Sequence, residues 1–295
     1  MSLPEDLNAA IEEALGQPVA SGSRVSGGDL NDAWRVELDD GTAAFIKTSA
    51  DAQPGGYAAE ARGLRWLGEP GALETPGVLA EVDPPPDQDH DGPRLLALQW
   101  IEEGTLDSDG EETLGRGLAQ THEAGAMEFG ADAPLRLGPL EIPNEPSDLW
   151  SEFYAERRIR PLARQAEKKN ALPDNTMQVL DRVCERLPDL AGPEEPPARL
   201  HGDLWSGNVL ASKEGTPYLI DPAAYGGHRE IDLAMLHLFG GPSKRCFDAY
   251  AEVAPLADGH EERVALWQLF PLLVHAVLFG GGYGSSVARI ANQLA

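Results

Sequence analysis

Residues 200–210 read Leu-His-Gly-Asp-Leu-Trp-Ser-Gly-Asn-Val-Leu; a short polar break follows, and residues 218–222 read Tyr-Leu-Ile-Asp-Pro. Two carboxylates, Asp203 and Asp221, and one amide, Asn208, thus fall within the length of a hairpin. Val209-Leu210 and Tyr218-Leu219-Ile220 predict two short buried strands, with Lys213-Glu214-Gly215-Thr216-Pro217 as the turn between them. If the strands pair, Asn208 before the first and Asp221 after the second reach the same end of the hairpin. Hard oxygen ligands too few to cage an ion leave room for phosphate oxygens, so this donor set suits a divalent metal. Asp203 lies on the lead-in loop, close enough to accept a proton from a substrate hydroxyl. Each residue alone also reads as a loop cap or turn residue; three in register around a hairpin favour the site.

The spacing D-x-x-x-x-N followed by a later Asp resembles the kinase catalytic loop and its metal-binding Asp. Here His201-Gly202-Asp203 stands where His-Arg-Asp is usual, and Asp221-Pro222-Ala223 where Asp-Phe-Gly is usual. The pattern resembles the small-molecule branch of the protein-kinase-like fold, which includes aminoglycoside and choline kinases. That resemblance implies an α+β chain in two lobes. Residues 1–101 form a nucleotide-binding lobe with a small antiparallel sheet. Residues 102–295 form a larger, mainly helical lobe that carries the catalytic hairpin and the substrate site.

Composition is consistent with this. A chain of 295 residues with 42% apolar content can fill one large domain or two lobes. Asp and Glu total 49 against 23 Lys and Arg, a formal charge of -26. Such a surface repels nucleic acid and anionic membrane, so neither is expected as a partner. It also repels ATP, so a nucleotide site must be locally positive or use metal. The charge is spread along the chain and lysines are few. This reads either as adaptation to high salt, which screens the repulsion, or simply as an acidic soluble protein. Cys184 and Cys246 are far apart and have no metal spacing, which points to a reducing cytoplasm. The N-terminus lacks the basic and apolar runs of a signal peptide, and no apolar stretch approaches the length of a membrane span.

Ahead of the hairpin, Leu7, Ile11, Ala14 and Leu15 predict a short amphipathic helix over 4–15. Three strands follow over 18–48. The turn Ser26-Gly27-Gly28-Asp29-Leu30-Asn31 joins the first two, and Asp39-Asp40-Gly41 the last two. Glycines in a strand–turn–strand can lay backbone N–H groups over phosphates, although an ordinary hairpin tip has the same look. Phe45-Ile46-Lys47 ends the third strand, and Lys47 resembles the strand lysine of kinases that contacts the α- and β-phosphates. The helix over 57–67 offers Glu60 as its ion-pair partner; Glu60 pairing with Arg62 or Arg65 on its own helix is the alternative. Residues 70–93 read as loop, and Arg94 to Ile101 as a buried strand. By its place in the kinase-like order, the end of that strand is the hinge, with backbone groups of Gln99, Trp100 and Ile101 on adenine.

Helices are expected over 110–125, 148–169 and 175–187, with irregular chain over 126–147 and a linker from Pro188 to Pro197. His122 reads as a helix-packing residue. The basic run Arg157-Arg158-Ile159-Arg160 reads mostly as salt pairing. After the hairpin, Ile231 begins an apolar helix, with Asp232 near its N-terminus, where the helix dipole favours a carboxylate. Further helices are expected over 242–252, 260–280 and 285–294. No internal repeat is seen.

The blocks His201-Gly202-Asp203-Leu204-Trp205-Ser206-Gly207-Asn208-Val209 and Gly227-His228-Arg229-Glu230-Ile231-Asp232-Leu233-Ala234 narrow the resemblance. Together with Gly27-Gly28-Asp29-Leu30-Asn31, Phe239-Gly240-Gly241 and Trp267-Gln268-Leu269-Phe270, they look like the fructosamine kinase (ketosamine-3-kinase) family over nearly the whole chain. The stretch 126–147 is shorter than expected for that family. The resemblance implies ATP-dependent phosphorylation of a free or protein-bound ketosamine at the sugar 3-hydroxyl, giving an unstable product and hence deglycation. It implies Asp203 as base, Asn208 and Asp221 as Mg²⁺ ligands, and Lys47 held by Glu60 on the phosphates. Gly27, Gly28, Asp29 and Asn31 cover the nucleotide. His201 and Asp232 support the loop. Trp205 either stacks on the sugar or anchors the loop, and His228 lies toward the substrate end. Another small-molecule kinase of this fold and a non-catalytic nucleotide-binding protein are the alternatives.

Overall fold

The computed structural model describes residues 3–25, 32–85, 88 and 90–295. The N-terminal lobe opens with helix α1 (Glu5–Leu15), strands β1 (Val19–Val25), β2 (Asp32–Leu38) and β3 (Ala43–Thr48), and helix α2 (Gly56–Gly68). Strands β4 (Val78–Val82) and β5 (Leu95–Gln99) complete a five-stranded antiparallel sheet in the order β1-β2-β3-β5-β4. The apolar run Leu95-Leu96-Ala97-Leu98 is explained by burial on both sides. Leu95 and Ala97 join Leu7 and Ile11 of α1, while Leu96 and Leu98 join Ala61 and Leu64 of α2. The same alternation governs β3. Ala44 and Ile46 face α1, so Phe45 and Lys47 face α2. This alternation turns Lys47 toward the helix that carries Glu60.

The larger lobe begins with α3 (Ser108–Glu123), a hairpin of β6 (Leu135–Leu137) and β7 (Leu140–Ile142), and α4 (Trp150–Phe153). The chain passes through a π-helical turn (Tyr154–Ile159) into α5 (Arg160–Lys168), then α6 (Thr176–Leu190). Strand β8 (Ala198–Leu200) leads to a 3₁₀ turn (Ser206–Asn208), β9 (Val209–Ala211), β10 (Pro217–Leu219) and β11 (Tyr225–Gly227). Helices α7 (Glu230–Leu238), α8 (Lys244–Val253), α9 (His260–Trp267), α10 (Leu269–Phe279) and α11 (Tyr283–Leu294) close the chain. The run His260–Phe279 is apolar enough by length and composition to cross a membrane, but 61% of it is buried inside the protein. Leu266, Leu269, Leu273 and Ala276 pack against α5, α6 and α11 in the main core, which accounts for its composition.

Strands β9 and β10 pair antiparallel, Leu219 opposite Val209, so the hairpin expected from the sequence forms. Several parts of the chain differ from expectation, two of them by whole strands in stretches read as loop. The loop-rich 70–93 contains β4, an edge strand flanked by Pro76 and Pro84. The irregular 126–147 contains the β6–β7 hairpin. Both cysteines are free and buried. Burial pushes the Cys184 thiol up to about 11 and that of Cys246 up to about 12, so both are unreactive.

Candidate active site

The loop that carries Asp203 leaves β8, which pairs with β11, and is held from behind by α7. Asp232 in the first turn of α7 accepts hydrogen bonds from the backbone N–H of His201 (2.7 Å) and Gly202 (2.9 Å). Gly202 has φ +81°, and a Cβ there would collide with the Ala223 carbonyl oxygen. That is the physical reason for Gly in His201-Gly202-Asp203: no side chain fits between the loop and the strand beside it. His201 Nε2 donates to the Ile220 carbonyl (2.9 Å), and its Nδ1 accepts from the Asp203 N–H (3.3 Å). Burial pushes this imidazole below its ordinary range, so it is the neutral form that ties the loop to the end of β10.

Asn208 Nδ2 donates to the Asp203 carbonyl oxygen (2.8 Å) and to Asp203 Oδ2 (3.2 Å). The Asp203 carboxyl is pushed up to about 6, first by burial and then by the charge of Asp221, against the pull of the Asn208 hydrogen bond. Asp221 has φ +54°, a left-handed conformation uncommon for a residue with a side chain. Its side chain is 46% exposed and meets Lys47 Nζ at 2.8 Å. Lys47 Nζ also donates to Glu60 Oε1 (2.9 Å) and Oε2 (2.8 Å). Burial disfavours the Lys47 ammonium, but the Glu60 and Asp221 charges outweigh it and hold the group above the ordinary lysine range. Helix α2 comes close enough for this because Gly63 lies against the hairpin exit. A Cβ there would stand 3.1 Å from Pro222 Cγ and 3.3 Å from Ala224 Cβ. Lys47, Glu60, Asp203 and Asp221 all line one cavity of about 1310 Å³. The cavity thus holds a buried cation able to meet a phosphate, a half-exposed carboxylate able to hold a metal and a second carboxylate able to accept a proton, while Asn208 is not among the residues lining it.

A sequence model of the fructosamine kinase family matches residues 4–295. The chain belongs to the fructosamine kinase family. A probable ketoamine kinase of Synechocystis is 32% identical over 96% of this chain and 94% of its own. A candidate fructosamine-3-kinase of Thermobifida fusca, known from its crystal structure, is 43% identical, with a TM-score of 0.89 over 98% of each chain. A spectinomycin phosphotransferase, solved with ADP and spectinomycin, is 17% identical with a TM-score of 0.52 over 98% of each chain; it shows likeness of fold alone. The fold is the two-lobed protein-kinase-like one, and this fructosamine kinase family member is an ATP-dependent phosphotransferase.

Not every residue singled out from the sequence joins the cavity. Gly27, Gly28, Asp29 and Asn31 lie outside the described residues. Gln99 ends β5, with its side chain accepting from the Gly77 N–H (3.2 Å), and Trp100 packs against Phe45 and under the Arg35 guanidinium. Gln99, Trp100 and Ile101 are not among the residues lining the cavity. Trp205 is 38% exposed, its ring lies over Gly207 and edge-on to Phe239, and it is not among the residues lining the cavity. His228 is the clearest departure. It is buried, stacked on Trp267 at 5.2 Å and near Trp150 at 6.0 Å, so it belongs to the aromatic core and does not line the cavity.

Three residues gain roles that the sequence did not show. His122 bridges Tyr250 Oη (2.9 Å) and Asp232 Oδ2 (3.3 Å), so this packing residue also steadies the loop's anchor. Arg158 departs from the salt pairing of its neighbours. It is fully buried between the rings of Phe153 and Tyr225 and donates to the Pro143 carbonyl (2.7 Å) and Asn144 Oδ1 (2.7 Å). It thereby fixes the chain that forms the cavity's outer wall. Arg199 on β8 stacks on Trp66 at 4.6 Å, and its guanidinium donates to the Trp66 carbonyl and to Glu69 (2.9 Å), tying α2 to the strand that feeds the loop. The only available signal was a cation or histidine beside apolar residues, and that pattern does not name its partner.

Proposed function

We propose that the chain transfers the γ-phosphoryl group of ATP to the 3-hydroxyl of a ketosamine, free or protein-bound, and so promotes deglycation. The observation that carries this is the Asp203 carboxylate, held by Asn208 in the cavity that also contains the Lys47–Glu60–Asp221 cluster. The ketosamine itself rests on the likeness to relatives named as ketoamine or fructosamine kinases. Asp203 accepts the hydroxyl proton as the sugar oxygen forms its bond to the γ-phosphorus, and ADP leaves with the broken bridge bond. Lys47 sits on the phosphates, oriented by Glu60. Asn208 Oδ1 has no hydrogen bond among the described residues and Asp221 keeps one oxygen free of Lys47, so the pair fits a hard divalent cation such as Mg²⁺. A bound cation there supplies charge neutralisation on the phosphates. The remaining work is positioning.

The same reading divides the chain at 101/102, places adenine at the backbone of Gln99 to Ile101 and phosphates under Gly27 to Asn31, and puts the enzyme in a salt-rich cytoplasm. Trp205 stands at the acceptor side. The test is turnover with ATP and Mg²⁺ at high salt on a synthetic fructosamine and ribulosamine, beside an aminoglycoside and choline. Phosphorylation of the ketosamines at the 3-hydroxyl is the expected result. Product from the aminoglycoside or choline alone would overturn the acceptor assignment and keep the catalytic one.

A further inference from the structure

The catalytic cluster leaves unexplained a strip of aromatic rings that starts on the catalytic loop. Trp205 meets Phe239, at the end of α7, edge-on with 6.4 Å between ring centres, and Ser206 Oγ donates to the Phe239 carbonyl (3.2 Å). Phe239 lies 4.7 Å from His275 on α10. His275 in turn lies 5.5 Å from Phe279 and 5.0 Å from Tyr283. These rings are not a sealed core: Trp205 is 38% and Phe279 59% exposed. His275 adds a polar feature. Its Nδ1 is 2.8 Å from the Pro271 carbonyl oxygen, which only accepts, so Nδ1 carries the proton. Burial pushes the imidazole below its ordinary range and keeps it neutral. Its Nε2 therefore keeps a lone pair, with no hydrogen-bond partner among the described residues.

Such a strip has a definite chemical preference. Aromatic faces are electron-rich and attract cations, and alkyl groups lie well against them. A lone imidazole acceptor favours an N–H donor. The acceptor proposed above has both: a secondary amine, protonated at neutral pH, and the alkyl chain beyond it. We infer that the strip from Trp205 to Tyr283 binds the amine side of the acceptor, rings flanking the ammonium and its alkyl arm, with His275 Nε2 accepting from an N–H of that arm. The strip lies outside the residues that line the cavity; its near end is Trp205, two residues after Asp203 in the same loop, and the sugar is left toward Asp203. This inference rests on the ketosamine reading for its natural ligand, but it concerns binding and can be tested without turnover.

The experiment compares N-butyl fructosamine with the isosteric neutral ether, 1-O-butyl fructose, by calorimetry on the wild-type chain and on Phe279→Ala and Tyr283→Ala. Wild type should bind the amine about tenfold more tightly than the ether, and each variant should cut that preference to about twofold while leaving ATP affinity unchanged. Phe279 is largely exposed, so its variant keeps the fold, and an unchanged melting temperature verifies that. A wild type with no preference for the amine, or variants that keep the full preference, would overturn the inference even if ketosamines are turned over. A preference lost in the variants, with no turnover of the amine, would uphold the strip and overturn the ketosamine reaction.

Discussion

A base must be unprotonated to work, yet Asp203 is partly buried, with the charge of Asp221 near it, and its carboxyl is pushed up to about 6. Among the described residues, the hydrogen bond from the Asn208 amide favours its ionised form. Asp203→Asn keeps the shape of the loop and removes the base. It should lower kcat by about 10²- to 10⁴-fold with nucleotide affinity retained, measured by steady-state turnover beside calorimetric ATP binding; undiminished turnover would remove Asp203 from the mechanism. His228 gives the opposite case, a residue chosen from sequence that the fold places in the core. Burial pushes its imidazole below the ordinary value, against the pull of Glu230 and Glu195. The unfolded chain takes up a proton near its ordinary pKa of about 6.5 and the folded chain does not. Its contribution to stability is therefore present above about pH 6.5 and lost as the pH falls below it. His228→Phe should flatten the decline of melting temperature between about pH 7 and 5, by at most about 1.4 kcal/mol per pH unit, and leave the acceptor KM unchanged. A raised KM with the acid decline intact would return His228 to the substrate site. The reactive types were legible in the sequence because the chemistry asks for them in a pattern: Lys47, Glu60 and Asp221 meet in one cluster, Asn208 meets Asp203, and Asp203 lines the same cavity as that cluster. Their supports were not, because His122, Arg158 and Arg199 act through partners that only the tertiary fold selects.

At the scale of elements, the site is a junction between α2 and the hairpin exit, and Gly63 sets its width. Leucine at 63 must displace Pro222 and Ala224 or move α2, and α2 carries Glu60. Gly63→Leu should destabilise the protein by about 1–3 kcal/mol and lower kcat more than it changes acceptor KM, read from denaturant melts beside kinetics. A variant with lost stability but wild-type kcat would show that α2 placement does not limit the reaction. Elements with a strong period were legible: α1, α2, β2, β3 and the β9–β10 hairpin lie where their patterns put them. Strand β4 was hidden because Val78 to Val82 forms a sheet edge between prolines, where flanking breakers outweigh five residues of weak alternation. The β6–β7 hairpin has three residues in each strand, too few to display a period. Helix α6 runs through Pro188 to Leu190, past its expected end, because proline there interrupts only the last turn.

The whole molecule carries 49 acidic against 23 basic side chains, a surplus of 26 negative charges, and two effects of salt on them oppose each other. Exposed ion pairs such as Arg116–Glu252 and Arg157–Glu145 contribute little and are weakened by screening. Repulsion among the unmatched carboxylates acts on the entire folded surface and is relieved by the same screening, whose range shrinks from about 10 Å at 0.1 M to about 3 Å at 1 M. The Lys47–Glu60 pair is insulated from this contest, since Lys47 is 7% and Glu60 14% exposed. With about two acids for every base, most carboxylates have no cation to lose, so relief of repulsion should win. The melting temperature should therefore rise steadily in KCl from about 0.1 to 2 M, while the Lys47–Glu60 geometry, followed by ATP affinity corrected for competing ions, stays constant. A flat melting curve would mean that the acidic surface is already neutralised by its own pairs. A falling one would mean that those pairs, and not the repulsion, dominate the fold's electrostatics.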